Sequence, residues 1–163
     1  MGWRYHLFPP IKGWLNLAVV IDLYSRRIVG WALAGHLRAG LFTDALRQAL
    51  HSRLPPAACG FILHRGRGPG SQYPSREYRG LPARCCIRQS SSAKGDSYHN
   101  SWAESFMGTL KTAMLQDGCF VDAADARTGL FGYIESYYNH HRRHSSLASR
   151  TPAQFEACKR SPV

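Results

Sequence analysis

Acidic residues are scarce in this sequence. Ten aspartates and glutamates stand against twenty-one lysines and arginines in 163 residues, which leaves a formal net charge of +11 at pH 7 with neutral histidines. Such an excess favours a polyanionic partner, because each lysine or arginine that meets a phosphate releases a condensed counterion. The alternative is an arginine-rich composition with no functional meaning, and charge alone does not separate the two. The charge balance therefore makes nucleic acid the first partner to consider.

Metal-binding cysteine pairs and long apolar runs are also missing. The five cysteines form no C-x-x-C pair, and the adjacent Cys85 and Cys86 do not fit the spacing of an ordinary zinc site. Reduced, partly buried thiols of a cytoplasmic protein are expected. The longest apolar run, at 17–21, is too short to span a bilayer, and no signal-peptide pattern follows Met1. The sequence predicts a soluble, cytoplasmic protein with no membrane partner.

Apolar residues recur with the period of strands early in the chain and with that of helices later. Two β-branched runs at 17–21 and 28–33 predict a β-hairpin over 14–36. Asp22 and Ser25 lie between the runs, where their side chains can accept hydrogen bonds from the backbone amides of a turn. Further strands are predicted at 60–64 and 85–89, and helices at 42–53, 101–115 and 122–140.

Capping residues indicate where two of the helices begin. Thr43 is the expected N-cap of the first helix. Thr151, Pro152 and Gln154 have the spacing of a capping box, which predicts a short terminal helix from about residue 151. Strands followed by alternating strands and helices predict an α/β fold with a mixed sheet, in a single domain over 1–163.

Five blocks of the sequence resemble, in order and at close to the same spacing, the integrase core of bacterial insertion-sequence transposases and, more distantly, retroviral integrases. The blocks are GWLNLAVVIDLYSRRIVGWAL, GSQYPSREY, KGDSYHNSWAESFMGTLKTAML, YIESYYNHHRRHSSL and RTPAQFEA. The resemblance spans 12–157. It implies an RNase H-like fold and an Asp-Asp-Glu triad that holds two Mg²⁺ ions for DNA strand cleavage and transfer. Carboxylates serve there because Mg²⁺ is a hard cation that binds anionic oxygen atoms.

Glu104 matches the third carboxylate of that triad. It stands near the start of a predicted helix and off its apolar side, with Lys111 two turns later on the same side. By itself, Glu104 could equally be an exposed glutamate that the helix dipole stabilises near a helix N-terminus. The surrounding blocks favour the catalytic and metal-binding role.

The positions of the other two carboxylates hold none. The resemblance implies an aspartate in the loop after the 60–64 strand, and that position falls at Gly66 or Gly68 according to which end of the loop is aligned. Two residues have been added to this loop. The first aspartate of the triad falls at Arg4 or His6, in a strand that is degraded or truncated. Magnesium is the cofactor that the family implies, and only Glu104 remains to hold it.

Neighbouring residues do not replace the lost ligands. No carboxylate lies between Asp44 and Glu77. Asp22 is the nearest substitute, but its position in a turn explains it as a capping residue. Arg65 and Arg67 bring positive charge to the loop where a cation would sit. The sequence therefore predicts a catalytically inactive remnant of a transposase.

Cations near the predicted helices are candidates for phosphate contact. Lys94 stands in a polar loop before the Glu104 helix, and Lys111 lies on that helix. Arg142 and Arg143 belong to YYNHHRRHSS, in which aromatic and basic residues alternate at a helix end. Simple capping of the helix C-terminus is the alternative for these two arginines. Binding to DNA is expected to be non-specific, because phosphate contacts dominate and a helix-turn-helix recognition part is expected to be absent.

Two other functions stay open from the sequence. One is an active Mg²⁺-dependent transposase whose missing ligands come from residues aligned differently. The other is an interaction module that pairs with a second copy or with a full-length transposase.

Overall fold

The computed structural model describes residues 2–8, 15–36, 39–53, 62–65, 88–91, 98–115 and 120–160. Side chains are described for 15–36, 40–53, 104–114 and 120–158. The strands are β1 (Gly2–Phe8), β2 (Leu15–Ile21), β3 (Ile28–Ala34), β4 (Ile62–Arg65) and β5 (Arg88–Ser91). The helices are α1 (Ala39–Arg53), α2 (Tyr98–Leu115), α3 (Ala123–Phe131), a π-helix (Gly132–Tyr138), a 3₁₀ turn (Ser145–Leu147) and α4 (Pro152–Arg160).

Strands β1, β2 and β3 form an antiparallel sheet with β2 in the middle. The first strand, which was expected to be degraded or truncated, does form, and Arg4 and His6 of β1 pair with Val19 and Leu17 of β2. The β2–β3 turn is closed by the Asp22 amide, which donates to the Arg27 carbonyl at 2.9 Å. The predicted hairpin is therefore confirmed.

Strands β4 and β5 pair in parallel, with Ile62 opposite Arg88. β4 also contacts β1, so the two sheets meet along the first strand. Parallel and antiparallel pairs next to helices confirm the predicted α/β class. Residues 60–61 and 85–87 of the predicted strands lie outside the described residues.

Strand β2 is apolar apart from Asn16, and both of its faces are buried. Successive side chains of a strand point to opposite faces, so Leu17, Val19 and Ile21 share one face and Ala18 and Val20 the other. The first face packs on α2, α3 and the π-helix through Phe106, Met107, Leu110, Leu130 and Ile134. The second face packs on α1 through Leu41, Phe42, Ala45, Leu46 and Ala49.

The helix starts differ from the sequence prediction at one end of the chain and agree at the other. α1 begins at Ala39, so Thr43 lies inside the helix and the prediction that it is the N-cap was wrong. Burial of Leu41 and Phe42 against the sheet extends the helix ahead of Thr43. At the other end the capping box is confirmed, because the Gln154 amide donates to Thr151 Oγ1 at 3.2 Å and the Thr151 amide donates to Gln154 Oε1 at 3.1 Å.

The predicted 122–140 helix consists of two helical types. Asp122 is the N-cap of α3, and its Oδ1 accepts from the Ala124 and Asp125 amides at 2.8 Å. From Gly132 to Tyr138 the chain continues as a π-helix. The spacing of apolar residues in the sequence predicts a helix there but does not reveal the π-helical type. Tyr138 is buried with Leu130 and Ile134, whereas Tyr137 is exposed.

Ion pairs hold α4 against the hairpin and α1. The Arg53 guanidinium donates to Asp22 Oδ2 at 2.8 Å and to Glu156 Oε1, and Arg27 donates to Glu156 Oε2 at 2.8 Å. Cys158 of α4 is a free thiol and is exposed, which corrects the expected partial burial at that position. No helix in the described ranges has the length and apolar character needed to cross a membrane.

Candidate nucleic-acid interface

Helix α2 presents Glu104 on a surface that the core does not cover. Phe106, Met107 and Leu110 of this helix are buried in the core, whereas Glu104 is exposed. Lys111 lies half-buried two turns further along. α2 also contacts β1, the strand that contains the first degraded ligand position. Glu104 therefore projects from the helix that contacts β1, the strand where the resemblance places the first aspartate of the triad.

The carboxylates that the structure describes do not assemble a metal centre. No group of three histidine, cysteine, aspartate or glutamate side chains converges within the described part of the chain. Asp22 accepts hydrogen bonds from the Tyr24 amide at 2.9 Å and from Arg53 at 2.8 Å, so its oxygens serve the turn and an ion pair. The substitute role considered for Asp22 therefore has no support in the geometry.

The residues at the predicted ligand positions also do not fit a two-magnesium site. Gly66 and Gly68 have no side chain that could bind a metal ion. At the other position, Arg4 would supply a positive charge and His6 an imidazole, and neither supplies a carboxylate. Mg²⁺ requires several oxygen ligands, of which carboxylates supply the charge. Glu104 is the single carboxylate of the set, and one carboxylate does not replace three.

Some predicted positions cannot be placed in space. Lys94, Gly66 and Gly68 lie outside the described residues, and Arg4 and His6 belong to β1, of which only the backbone is described. The expected approach of Glu104 to these positions stays a prediction.

Arg142 connects the chain after the π-helix to α2. Its Nη2 donates to Thr109 Oγ1 at 3.2 Å, and its guanidinium carbon lies 5.8 Å from the centre of the Tyr138 ring. Arg143 is exposed next to it. Ser105 of α2 and both arginines line one cavity of about 180 Å³. The structure thus brings the two predicted arginines to a cavity at the surface of α2, the helix that contains Glu104.

Two residues of the YYNHHRRHSS motif, Tyr138 and Asn139, are structural and not available to a ligand. Tyr138 is buried against Phe106, with the ring centres 4.9 Å apart, and burial raises the pKa of its phenol to about 12. Asn139 is fully buried and bonds to the backbone of Ile28. Tyr137, in contrast, exposes about half of its surface. Sequence reasoning predicted Arg142 and Arg143 as phosphate contacts with aromatic support from the motif, and it missed that Tyr138 and Asn139 are part of the core.

Three further residues of the cavity were not predicted from the sequence. Arg26 of the β2–β3 turn, Ser105 of α2 and His144 line the same space as Arg142 and Arg143. Arg26 and His144 are far apart in the chain, and no local pattern links them. To predict these residues, the sequence would have had to show that the β2–β3 turn contacts the segment after the π-helix.

Comparison with known proteins identifies the family. Two models, both described as "Integrase core domain", match residues 5–97 and 85–152. The transposase InsF for insertion sequence IS3A of Escherichia coli is 42% identical over 145 residues, which cover 89% of this chain and 49% of that protein. The transposase for insertion sequence element IS904 of Lactococcus lactis is 39% identical over 148 residues, covering 91% of this chain and 57% of that protein. The chain thus spans about half the length of the curated relatives it matches.

Solved structures agree on the fold. A chain of the simian T-cell lymphotropic virus intasome superposes with a TM-score of 0.72 at 17% identity, over 99% of this chain and 55% of that chain. The HTLV-2 integrase catalytic core domain in complex with magnesium superposes with a TM-score of 0.62 at 15% identity, over 94% and 92% of the two chains. These likenesses confirm the RNase H-like fold. The chain belongs to the integrase core domain family of insertion-sequence transposases, as its five sequence blocks predicted.

Proposed function

We propose that this chain is an integrase-core domain that binds DNA through its phosphates and does not cleave or join DNA strands. The observation that carries the proposal is the position of Arg142 and Arg143 in a cavity at the surface of α2. Two of the three ligand positions that the resemblance implies lack a carboxylate. DNA binding and catalysis use different residues in this proposal, so one is retained without the other.

The loss of catalysis follows from the donor set. In a two-metal centre, carboxylates hold the ions that activate the attacking oxygen and stabilise the leaving oxygen. Glu104 alone cannot bind both ions and also replace the carboxylate that the two ions share. Each missing aspartate removes one bond to a metal ion and one unit of negative charge from the site. No step of strand transfer can therefore be assigned to its residues.

Phosphate binding follows from the cations that remain. The chain has a net charge of +11, and Lys111, Arg142 and Arg143 are distributed over α2 and the segment after the π-helix. Lys94 is a further proposed contact in the preceding loop. Contacts of this kind neutralise backbone charge without reading base edges, so affinity depends strongly on salt and weakly on sequence.

A nicking assay tests the catalytic half of the proposal. The purified chain is incubated with an end-labelled DNA duplex and Mg²⁺ or Mn²⁺, beside a Glu104→Ala variant. We expect no product above the Glu104→Ala background with either metal. Nicking that depends on Glu104 would overturn the proposal and establish the chain as an active transposase core with ligands from other residues.

A second candidate function is pairing with another integrase core, either a second copy or a full-length transposase. The observation that favours it is an apolar groove between α2 and the π-helix, lined by Met114, Tyr133 and Tyr137, of which Tyr137 is exposed. One of the similar structures is the HTLV-2 core in a dimeric form. Light scattering of the chain, and co-purification with a tagged full-length relative, measure this association. Loss of association in a Tyr137→Ser variant would support it, and a monomer with no co-purification would exclude it.

A further inference from the structure

Strand β3 is the outer strand of the antiparallel sheet. β2 pairs with it on one side, and no other strand in the described part of the chain pairs with it. The other side of β3 is an edge of backbone N–H and C=O groups with which a strand of another molecule could pair. Proteins commonly cover or charge such an edge, because an open one promotes association between molecules. The groups that bond this edge therefore decide whether it is open.

Two side chains close the start of the edge. Asn139 bonds both the amide and the carbonyl of Ile28, at 3.0 and 3.1 Å. The pairing of β2 with β3 then skips Val29, which leaves a bulge at that residue. Ser52 Oγ of α1 lies 2.8 Å from the Val29 carbonyl oxygen and 3.0 Å from that of Ala49, so its proton is available to the bulge.

Two exposed side chains bond the next outward groups along the strand. Gln48 Oε1 of α1 accepts from the Trp31 amide at 2.7 Å, and Arg127 Nη2 of α3 donates to the Leu33 carbonyl at 3.4 Å. Trp31 and Leu33 are two residues apart, so their backbone groups point to the same side of β3. Gln48 and Arg127 are exposed, whereas Asn139 is fully buried. The exposed pair can therefore leave the edge without unpacking the core.

The packing of both helical layers brings these side chains to one edge. At Gly30 of β3, a Cβ atom would lie 2.7 Å from the Ala49 nitrogen, so α1 rests directly on the strand. Gln48 is next to Ala49, and Ser52 follows within one turn of the helix. α3, which contains Arg127, packs on the opposite face of the sheet. Side chains thus reach the edge from both faces.

We propose that Gln48 and Arg127 form a removable cap that keeps the β3 edge from pairing with the β3 edge of a second copy of this chain. An incoming strand needs the same N–H and C=O groups that the cap bonds, so the cap and a partner strand exclude each other. Two identical edges can pair about a two-fold axis, which makes a second copy the partner with a matching surface. This inference goes beyond the proposed function and does not depend on DNA binding.

The test compares two double variants with the unmodified chain. Gln48→Ala with Arg127→Ala removes the acceptor and the donor of the cap. Gln48→Glu with Arg127→Lys keeps an acceptor and a donor. Both double variants lower the net charge by one unit, so charge does not distinguish them. One measurement is sedimentation velocity at increasing protein concentration. The other is amide hydrogen exchange at Trp31, followed by NMR over the same concentrations.

The alanine variant should behave differently from the other two proteins. At low protein concentration its Trp31 amide should exchange about tenfold faster, because the amide has lost its acceptor. As the concentration rises, this variant should associate and the protection of Trp31 should return, since a partner strand supplies a new acceptor. The variant with glutamate and lysine should associate no more than the unmodified chain, and its Trp31 amide should stay protected at all concentrations.

Three results would overturn the cap. The first is equal exchange at Trp31 in the two double variants, and the second is equal association of both. The third is association of the alanine variant that leaves the Trp31 amide unprotected, because the contact would then lie on another surface. Should the alanine variant unfold, Gln48→Ala beside Gln48→Glu decides the outcome by the same two measurements.

Discussion

The side chain of Asn139 pairs with the backbone of Ile28 in the way that a neighbouring strand would. Its Oδ1 accepts from the Ile28 amide at 3.0 Å, and its Nδ2 donates to the Ile28 carbonyl at 3.1 Å. Ile28 is the first residue of β3, the strand at the edge of the described antiparallel sheet. The contact attaches the end of the π-helix to that edge, and it thereby sets where the following segment with Arg142 lies relative to the sheet.

Replacing Asn139 should destabilise the fold. Asn139→Leu leaves the buried amide and carbonyl of Ile28 without partners, at a cost of roughly 2–4 kcal/mol in the free energy of unfolding. Asn139→Asp should also destabilise, because it replaces a donor with a buried negative charge. Urea unfolding measures both. Ser136→Ala, at an exposed position of the same π-helix, is the control, and a Leu variant as stable as this control would contradict the structural role.

The same small substitution should have opposite effects at two glycines. At Gly30 of β3, a Cβ atom would overlap the Ala45 carbonyl oxygen and lie 2.7 Å from the Ala49 nitrogen, because α1 packs directly on the strand. At Gly108 of α2, a Cβ atom would meet nothing within 4 Å. Gly30→Ala should therefore lower the melting temperature strongly. Gly108→Ala should raise the melting temperature, because alanine favours helix over glycine by about 1 kcal/mol in the free energy of unfolding. Equal effects at the two positions would show that the close approach of α1 is wrong.

Docking of α4 should weaken in acid. Burial by itself would raise the pKa of Glu156, but hydrogen bonds from Arg53, Ser25 and Arg27 outweigh it, so the pKa lies below the ordinary value of 4.5. A carboxyl group with a lowered folded-state pKa stabilises the fold above its unfolded pKa, and this stability is lost as the pH falls through the folded pKa.

Glu156→Gln should consequently cost roughly 1–3 kcal/mol at pH 7 and progressively less below pH 4.5. Urea unfolding across this pH range gives the difference between the variant and the unmodified chain. Asp44→Asn is the control, because the ion pair of Asp44 with Arg47 is exposed and surface pairs contribute little. A difference for Glu156→Gln that stays constant with pH would contradict the assigned partners.

Removal of the two arginines beside α2 should change the salt dependence of DNA binding. We expect Arg142→Ala combined with Arg143→Ala to lower duplex affinity and to reduce the slope of log K against log salt by about two units, one for each lost phosphate contact. Because Arg142 also bonds Thr109, thermal unfolding of the variant must be measured alongside. An unchanged slope in a folded variant would place the DNA on another surface.

Restored catalysis should require two changes at once. The first is Gly66→Asp or Gly68→Asp in a loop shortened by two residues, and the second is Arg4→Asp or His6→Asp in β1. Either change alone should leave nicking of a labelled duplex at background, because a two-metal centre needs its bridging carboxylate as well as its flanking ones. Nicking by the combined variant should disappear on Glu104→Ala. Activity restored by a single aspartate would show that one of the other ligands is already present.

The sequence by itself determined the features that depend on residues close together in the chain. Two β-branched runs on either side of Asp22 and Ser25 predicted the 14–36 hairpin, because β-branched side chains favour strands and these two residues favour a turn. Thr151 with Gln154 formed the predicted capping box, because a cap needs only its next few residues. The helix predicted from residue 122 also starts there, with Asp122 as its N-cap. The five ordered blocks identified the family for a similar reason, since they can be compared directly along the chain.

The tertiary structure decided what depends on residues far apart in the chain. Thr43 became an interior helix residue because burial against the sheet extended α1 ahead of it. Asn139 became a structural residue because Ile28 lies beside it, and no periodic pattern encodes that contact. The cavity beside α2 exists only because folding brings Arg26 of the β2–β3 turn close to His144. Contacts of this kind depend on packing geometry, which local spacing in a sequence does not specify.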